Sequence, residues 1–246
     1  MPEHNEKILL ADDEHDILML VNFHLQRAGY QVILAENGKE ALEKAEQEKP
    51  VLAILDRMMP EMDGMEVCRR LREVNPGIYI IMLTALATEE HRYGGFEAGA
   101  DDYIIKPFNA KELTLKVKAM VRHANEKQAA LAQAGTGPLS EGNLLAKTFP
   151  TSNGLQVNQD RRQVLKNGLE IELTKLEFDL LQFLYEHPNL VFSRDRLLEQ
   201  VWNYDYFGDE RVVDVHMARL RKKLEEDPSH PRYIQTIRGV GYKYTP

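Results

Sequence analysis

Short apolar runs alternate with amphipathic segments along the first half of the chain. Runs of strand length cover Lys7–Ala11, Gln31–Leu34, Val51–Leu55, Ile78–Leu83 and Tyr103–Ile105. Between and after them, Ile17–Ala28, Lys39–Glu48, Met65–Glu73, Glu89–Ala98 and Ala110–Arg122 repeat apolar positions at the three-to-four spacing that predicts helices. Turn residues punctuate the crossovers at Ala28-Gly29-Tyr30, Glu36-Asn37-Gly38, Asn75-Pro76-Gly77 and Ala98-Gly99-Ala100. Five strands alternating with five helices specify an α/β domain, a doubly wound parallel five-stranded sheet, over residues 1–124. One local conflict stands out. Gly94-Gly95 falls inside the fourth of these helices and lowers its propensity by about 2 kcal/mol relative to Ala.

The pattern weakens over residues 125–153, where an Ala/Gln-rich stretch able to extend the preceding helix gives way to Gly135-Thr136-Gly137-Pro138. This segment is expected to be a linker, with a reach of roughly 30 Å if wholly flexible. A second domain over 154–246 opens with strand signals at Leu155–Val157 and Gln163–Leu165, then an Asn167-Gly168 hairpin turn before Leu169–Leu173. Thr174 and Glu177 form a capping box for a helix carrying Leu176, Phe178, Leu180, Leu181, Phe183 and Leu184. A second helix follows Ser193. A third is expected from Glu210 to Leu224, with Val212, Val213, Val215, Met217, Leu220 and Leu224 on its apolar stripe. Tyr233–Ile237 and Tyr242–Tyr244 close the chain as a hairpin about Arg238-Gly239-Val240-Gly241, giving an α+β winged helix-turn-helix.

The net charge of -8 changes the picture only when it is divided. Residues 1–124 hold 15 Lys+Arg against 22 Asp+Glu, and residues 154–246 hold 14 against 15, so the acidity belongs to the first domain. Within the second, Arg211–Leu224 carries Arg211, Arg219, Arg221, Lys222 and Lys223 against Asp214 alone. A basic stripe on one helix is a footprint for phosphates, although a solvated helix face has the same composition. No stretch reaches the ~18 apolar residues that span a membrane. The N-terminus lacks the basic and apolar regions of a signal peptide. The single Cys68 excludes an internal disulfide, and a cytoplasmic location is expected.

Candidate chemistry sits at the ends of the apolar runs: Asp12, Asp13, Asp56, Thr84, Lys106 and Pro107. In a parallel sheet the carboxyl ends of the strands share one edge, so these residues should converge. Three carboxylates in one crevice repel one another unless a cation joins them, and hard oxygen donors point to Mg²⁺ rather than zinc. The competing assignment makes Asp13 or Glu14 the N-cap of the first helix.

The stretches Leu10-Ala11-Asp12-Asp13-Glu14, Leu55 to Gly64, Leu83-Thr84-Ala85 and Gly99 to Phe108 resemble a bacterial response-regulator receiver domain of the CheY-like fold. Glu170 to Phe178, Val201 to Asp209, Val213 to Lys223 and Thr236 to Tyr242 extend the likeness to the OmpR/PhoB family. The resemblance implies that Asp56 is the phosphoacceptor and that Asp13, Asp56 and the Met58 carbonyl bind Mg²⁺, with Asp12 supporting the metal through water. Lys106 and Thr84 would contact the phosphoryl group, and Thr84 with Tyr103 would form the switch. It further implies a two-fold interface pairing Arg92 with Glu112, Asp101 with Lys116 and Asp102 with Lys118.

For the second domain, the family docks the third helix in the major groove with the wing at the minor groove. Arg219 is the expected base reader, since a guanidinium can bond a guanine edge bidentately. Arg211, Arg221 and Lys222 are expected at phosphates, and Arg238 at the minor groove. His216 suits either a phosphate contact or a wedge beside the core, with its Arg-rich neighbours favouring the DNA side. Trp202 suits the core, while the resemblance implies a phosphate contact, and Thr236 and Tyr242 complete the expected contacts. Val212 and Ala218 depart from the family pattern, standing where many relatives have Thr and Arg. Arg57, directly after the phosphoacceptor, is expected to point to solvent by strand alternation.

Together these residues suggest a transcription factor rather than an enzyme, phosphorylated by a sensor histidine kinase. It would dimerise, bind a direct-repeat DNA operator and act on RNA polymerase. Two rivals are an enzyme with an aspartyl nucleophile and an adaptor whose winged helix binds only protein.

Overall fold

Burial of nearly continuous apolar strands between two layers of helices organises the N-terminal unit. The computed structural model describes residues 6–85, 99–134, 154–202 and 210–246, with backbone alone over 123–134. The described elements are, in chain order, β1 (Lys7–Ala11), α1 (His15–Arg27), β2 (Gln31–Ala35), α2 (Gly38–Glu48), β3 (Leu52–Asp56), α3 (Gly64–Val74), β4 (Tyr79–Thr84), β5 (Asp102–Ile105) and α4 (Ala110–Ala134), with strands and helices alternating as expected up to β4. The five strands are parallel in the order β2-β1-β3-β4-β5. Both β3 and β4 are buried throughout, which is why they read as unbroken apolar runs. The predicted fourth helix, with Arg92 and Gly94-Gly95, lies outside the described residues.

Local chemistry fixes the helix starts near the sheet edge. Asn37 caps α2 by accepting from the Glu40 amide, and Asp63 caps α3 by accepting from the Glu66 amide. Gly64 lets α3 start directly against β3: a Cβ there would collide with the Asp56 carbonyl oxygen. Helix α4 runs on through the Ala/Gln stretch to Ala134, past the expected linker boundary at 124. The remainder of the expected linker, from 135 to 153, lies outside the described residues. Among the described residues no helix is long and apolar enough to cross a membrane.

The C-terminal unit contains β6 (Leu155–Asn158), β7 (Gln163–Lys166) and β8 (Leu169–Glu170) as one antiparallel sheet. The third strand is shorter than the expected run to Leu173. Helix α5 (Lys175–Glu186) begins at the expected capping box, in which the Thr174 amide donates to Glu177 at 2.9 Å and the Glu177 amide to the Thr174 hydroxyl at 3.3 Å. A two-residue strand β9 (Phe192–Ser193) precedes α6 (Arg194–Leu197), which continues as a π-helical turn over Leu198–Trp202. Helix α7 (Arg211–Leu224) and the wing, β10 (Ile234–Ile237) and β11 (Gly241–Tyr244), follow. The apolar stripe of α7 is buried at every expected position. The sheet order β10-β11-β9 corrects the isolated hairpin of the sequence reading. Gly241 makes the third strand possible, because a Cβ there would strike the Phe192 carbonyl oxygen.

Glu177 also carries a pH dependence. It is 1% exposed and lies 2.7 Å from Lys223 Nζ. Burial pushes its carboxyl up, but Lys223, Arg219 and the Thr174 amide outweigh burial and hold it below the ordinary value of 4.5. A folded-state pKa below the unfolded value stabilises the fold above about pH 4.5, and this contribution is lost as pH falls through the folded value. Urea unfolding of Glu177→Gln should therefore show a flatter acid limb than wild type. An unchanged acid limb would remove Glu177 from the account.

Candidate functional site

Strand register brings the acidic residues of the receiver unit together. Ala11 pairs with Leu55, Asp56 with Leu83 and Thr84 with Ile105, so Asp12, Asp56, Thr84 and Lys106 leave adjacent strands at one edge. Asp56, Thr84 and Lys106 line a pocket of about 240 Å³ together with Asp13, Glu14, Met58, Arg57 and Ala85. Arg57 is half-buried in this wall rather than turned wholly to solvent. Asp12 is fully buried, Asp56 is 5% exposed and Asp13 is exposed.

One cation serves three carboxylates. Lys106 Nζ lies 2.8 Å from Asp56 Oδ1, 2.9 Å from Asp12 Oδ2 and 3.0 Å from Glu14 Oε1. Burial opposes the ammonium charge, yet hydrogen bonds to Asp12, Asp56 and Glu14 outweigh it and raise the Lys106 pKa. Burial pushes the Asp12 carboxyl up, against the Lys106 contact and the Glu14 amide, which donates to Asp12 Oδ1 at 2.9 Å. The Met58 amide donates to the other Asp56 oxygen, Oδ2, at 2.9 Å. Oxygens of Asp12, Asp13 and Asp56 lie within 4.8 Å of one another, a hard-donor set that suits a divalent cation. Glu14 does occupy the N-cap of α1, as the competing assignment had it, but its side chain makes no cap bond.

Thr84 is buried at the pocket, and its carbonyl accepts from the Lys106 amide at 2.7 Å, just before a cis Lys106–Pro107 bond. Tyr103 is half-buried against the core.

Several of the expected interface residues pair within the unit. Asp101 is 1% exposed and is held inside the unit by Arg72 of α3 and by the Ile80 amide at 2.8 Å. Asp102 pairs with Lys116 of its own unit, Nζ to Oδ2 at 2.6 Å, with both side chains 3% exposed. Asp101 is thus held through α3 and β4, and Asp102 through Lys116 of α4. Glu112 and Lys118 are exposed on α4.

The expected DNA contacts divide by burial. Arg211, Lys222, Thr236 and Arg238 are exposed and Arg219 is half-buried. His216 is fully buried and Trp202 is 3% exposed, with their rings edge to face at 5.3 Å. The helical period that places Val212 and Val213 inward carries His216 with them. Tyr242 is likewise buried at 4%, its hydroxyl donating to Asp214 at 2.7 Å. Burial, then the bond to Asp214, pushes the Tyr242 phenol up to about 12. Arg221 is half-buried, with Nε donating to the Ile234 carbonyl at 2.9 Å and its guanidinium to the Thr236 hydroxyl at 2.6 Å.

Two groups escaped the sequence reading. Arg194 pairs with Asp214 at 2.6 Å, and its position directly after the Ser193 cap was the only local signal. Buried Glu225 accepts from the amides of Arg232, Tyr233 and Ile234, each at 2.9 Å, and anchors the entry to the wing.

Comparison with known proteins identifies both units. Residues 8–118 match the response regulator receiver domain, and residues 168–244 match the C-terminal domain of transcriptional regulatory proteins. The chain is 44% identical to the alkaline phosphatase synthesis transcriptional regulatory protein PhoP of Bacillus subtilis, over 97% of this chain and 96% of PhoP. It is 43% identical to the transcriptional regulatory protein ResD of the same organism, over 99% and 98%. The crystal structure of DrrB, a Thermotoga maritima OmpR/PhoB homologue, is 34% identical and covers 99% of this chain and all of that one, with a TM-score of 0.50. A receiver with its acidic strand-end pocket, joined to a winged helix with a basic third helix, places this chain in the OmpR/PhoB family of two-component response regulators, which are transcription regulators and not enzymes.

Proposed function

We propose that a sensor histidine kinase phosphorylates Asp56 and that the phosphorylated chain dimerises and binds a direct-repeat operator in double-stranded DNA to regulate transcription through RNA polymerase. The observation that carries this reading is the convergence of Lys106 and three carboxylates on one pocket open at Asp56. The Asp56 carboxylate would attack the phosphorus, forming a P–O bond as the P–N bond of the kinase phosphohistidine breaks. Lys106, already ion-paired to Asp56, and the Met58 amide are poised to neutralise charge on the incoming oxygens. Asp12, Asp13, Asp56 and the Met58 carbonyl would hold Mg²⁺, which supplies further neutralisation of the phosphoryl oxygens. Thr84 would then move toward the phosphoryl group, and Tyr103 would turn inward. Exposed Arg238 supports wing contact with the minor groove, while Arg219, Arg211 and Lys222 support major-groove docking of α7.

Footprinting with and without acetyl phosphate tests the reading. Phosphorylation should produce cooperative protection of tandem half-sites about one helical turn apart. Inserting about five base pairs turns one half-site to the opposite face and should abolish cooperativity. Protection of inverted repeats alone, or cooperativity that survives the insertion, would be the contrary result.

A further inference from the structure

One carboxylate ties three elements of the winged helix together. Asp214 on α7 accepts at Oδ1 from Arg194 Nε of α6 at 2.6 Å and from the Tyr242 hydroxyl of β11 at 2.7 Å. The Tyr242 ring has the Arg194 guanidinium 5.4 Å and the Arg221 guanidinium 5.6 Å from its centroid. Arg221, also on α7, reaches β10 through Ile234 and Thr236. Backbone pairing adds little restraint on the wing's direction, because β11 meets β9 at only two register positions. With so short a third strand, side-chain contacts add to the restraint on the wing's angle.

The charge pattern gives the same indication. Asp214 is the only anion in the basic stretch Arg211–Leu224, and its side chain is 33% exposed at the rim. A carboxylate placed there for solvation alone would repel phosphates, whereas this one is occupied by Arg194 and Tyr242.

We infer that Asp214 is a positioning residue for DNA recognition: with Arg194, Arg221 and Tyr242 it fixes the wing against α7, so that Arg238 and the cations of α7 engage one duplex together. The inference rests on the DNA-binding function proposed above. Contacts on one rigid body reinforce each other, whereas a loose wing must be ordered at the moment of binding.

The test uses the full chain and a duplex selected from a random-sequence library by the wild-type protein. Arg238→Ala should weaken wild-type binding about tenfold, but less than about threefold in Asp214→Asn and in Tyr242→Phe, which keeps the ring between both guanidiniums. A full effect of Arg238→Ala in both backgrounds overturns the inference. Hydrogen exchange of the DNA-free chain provides the second arm. Faster exchange of the amides of β10 and β11 in both variants, with α5 unchanged, supports the clamp, and unchanged wing exchange overturns it. Failure of the wild-type chain to select any duplex would count against the DNA-binding reading alone, and the exchange arm would still decide the clamp.

Discussion

An Asp56→Ala chain is expected to lose its entire response to acetyl phosphate or beryllofluoride. With Mg²⁺, either reagent should shift the wild-type chain from monomer toward dimer in sedimentation, while the variant remains monomeric at every concentration. The argument is one of access and charge. Asp12 lies in the same cluster but is fully buried, so it offers no oxygen to an incoming phosphorus. Asp56 lines the pocket, and its two oxygens already meet Lys106 at 2.8 Å and the Met58 amide at 2.9 Å. The loss cannot be mistaken for unfolding. Removing one of several crowded carboxylates relieves like-charge repulsion, so urea unfolding should find the variant at least as stable as wild type. An equal sedimentation response from the variant would move the acceptor to exposed Asp13.

Asp102→Ala is expected to cost about 3–5 kcal/mol of receiver stability, because it takes a buried carboxylate from the buried Lys116 ammonium. Both side chains are 3% exposed and 2.6 Å apart, and the other Asp102 oxygen accepts from the Tyr103 amide at 2.8 Å. Removing both charges with Asp102→Leu and Lys116→Met should recover much of the loss, since the desolvation cost of the ammonium disappears with its partner. Urea unfolding of the unphosphorylated chain separates this role from an intermolecular one. An interface pair would leave monomer stability nearly unchanged and affect only dimerisation. A single-variant loss below about 1 kcal/mol, the range of exposed pairs, would return Asp102 to the surface.

Much of the architecture was readable because it follows from local periodicity and chain direction. Alternating apolar and amphipathic segments implied the parallel sheet, and a parallel sheet necessarily gathers strand-end residues at one edge. Asp12, Asp56, Thr84 and Lys106 were therefore placed correctly before any distance was known. The capping box of Thr174 and Glu177 was equally legible, since its partners are three residues apart.

Partner choice over long range was not legible. The acidic and basic residues around β5 and α4 have complementary signs, but sign does not say whether a carboxylate meets a cation of its own chain or of another. Packing decided it: α3 supplies Arg72 to Asp101, and α4 lays Lys116 over Asp102. Strand β9 escaped notice because two residues carry no periodicity, and its partners, Gly241 and Tyr242, are nearly fifty positions away.

The sequence by itself thus determined the division into two units, most of the described elements and the convergence of the acidic strand-end pocket, all consequences of period, propensity and parallel topology. Only the tertiary structure decided which polar groups on the winged helix face solvent. His216 and Tyr242 were withdrawn into the interior and Asp214 was occupied by Arg194, because burial and hydrogen-bond satisfaction depend on neighbours that adjacent residues do not specify.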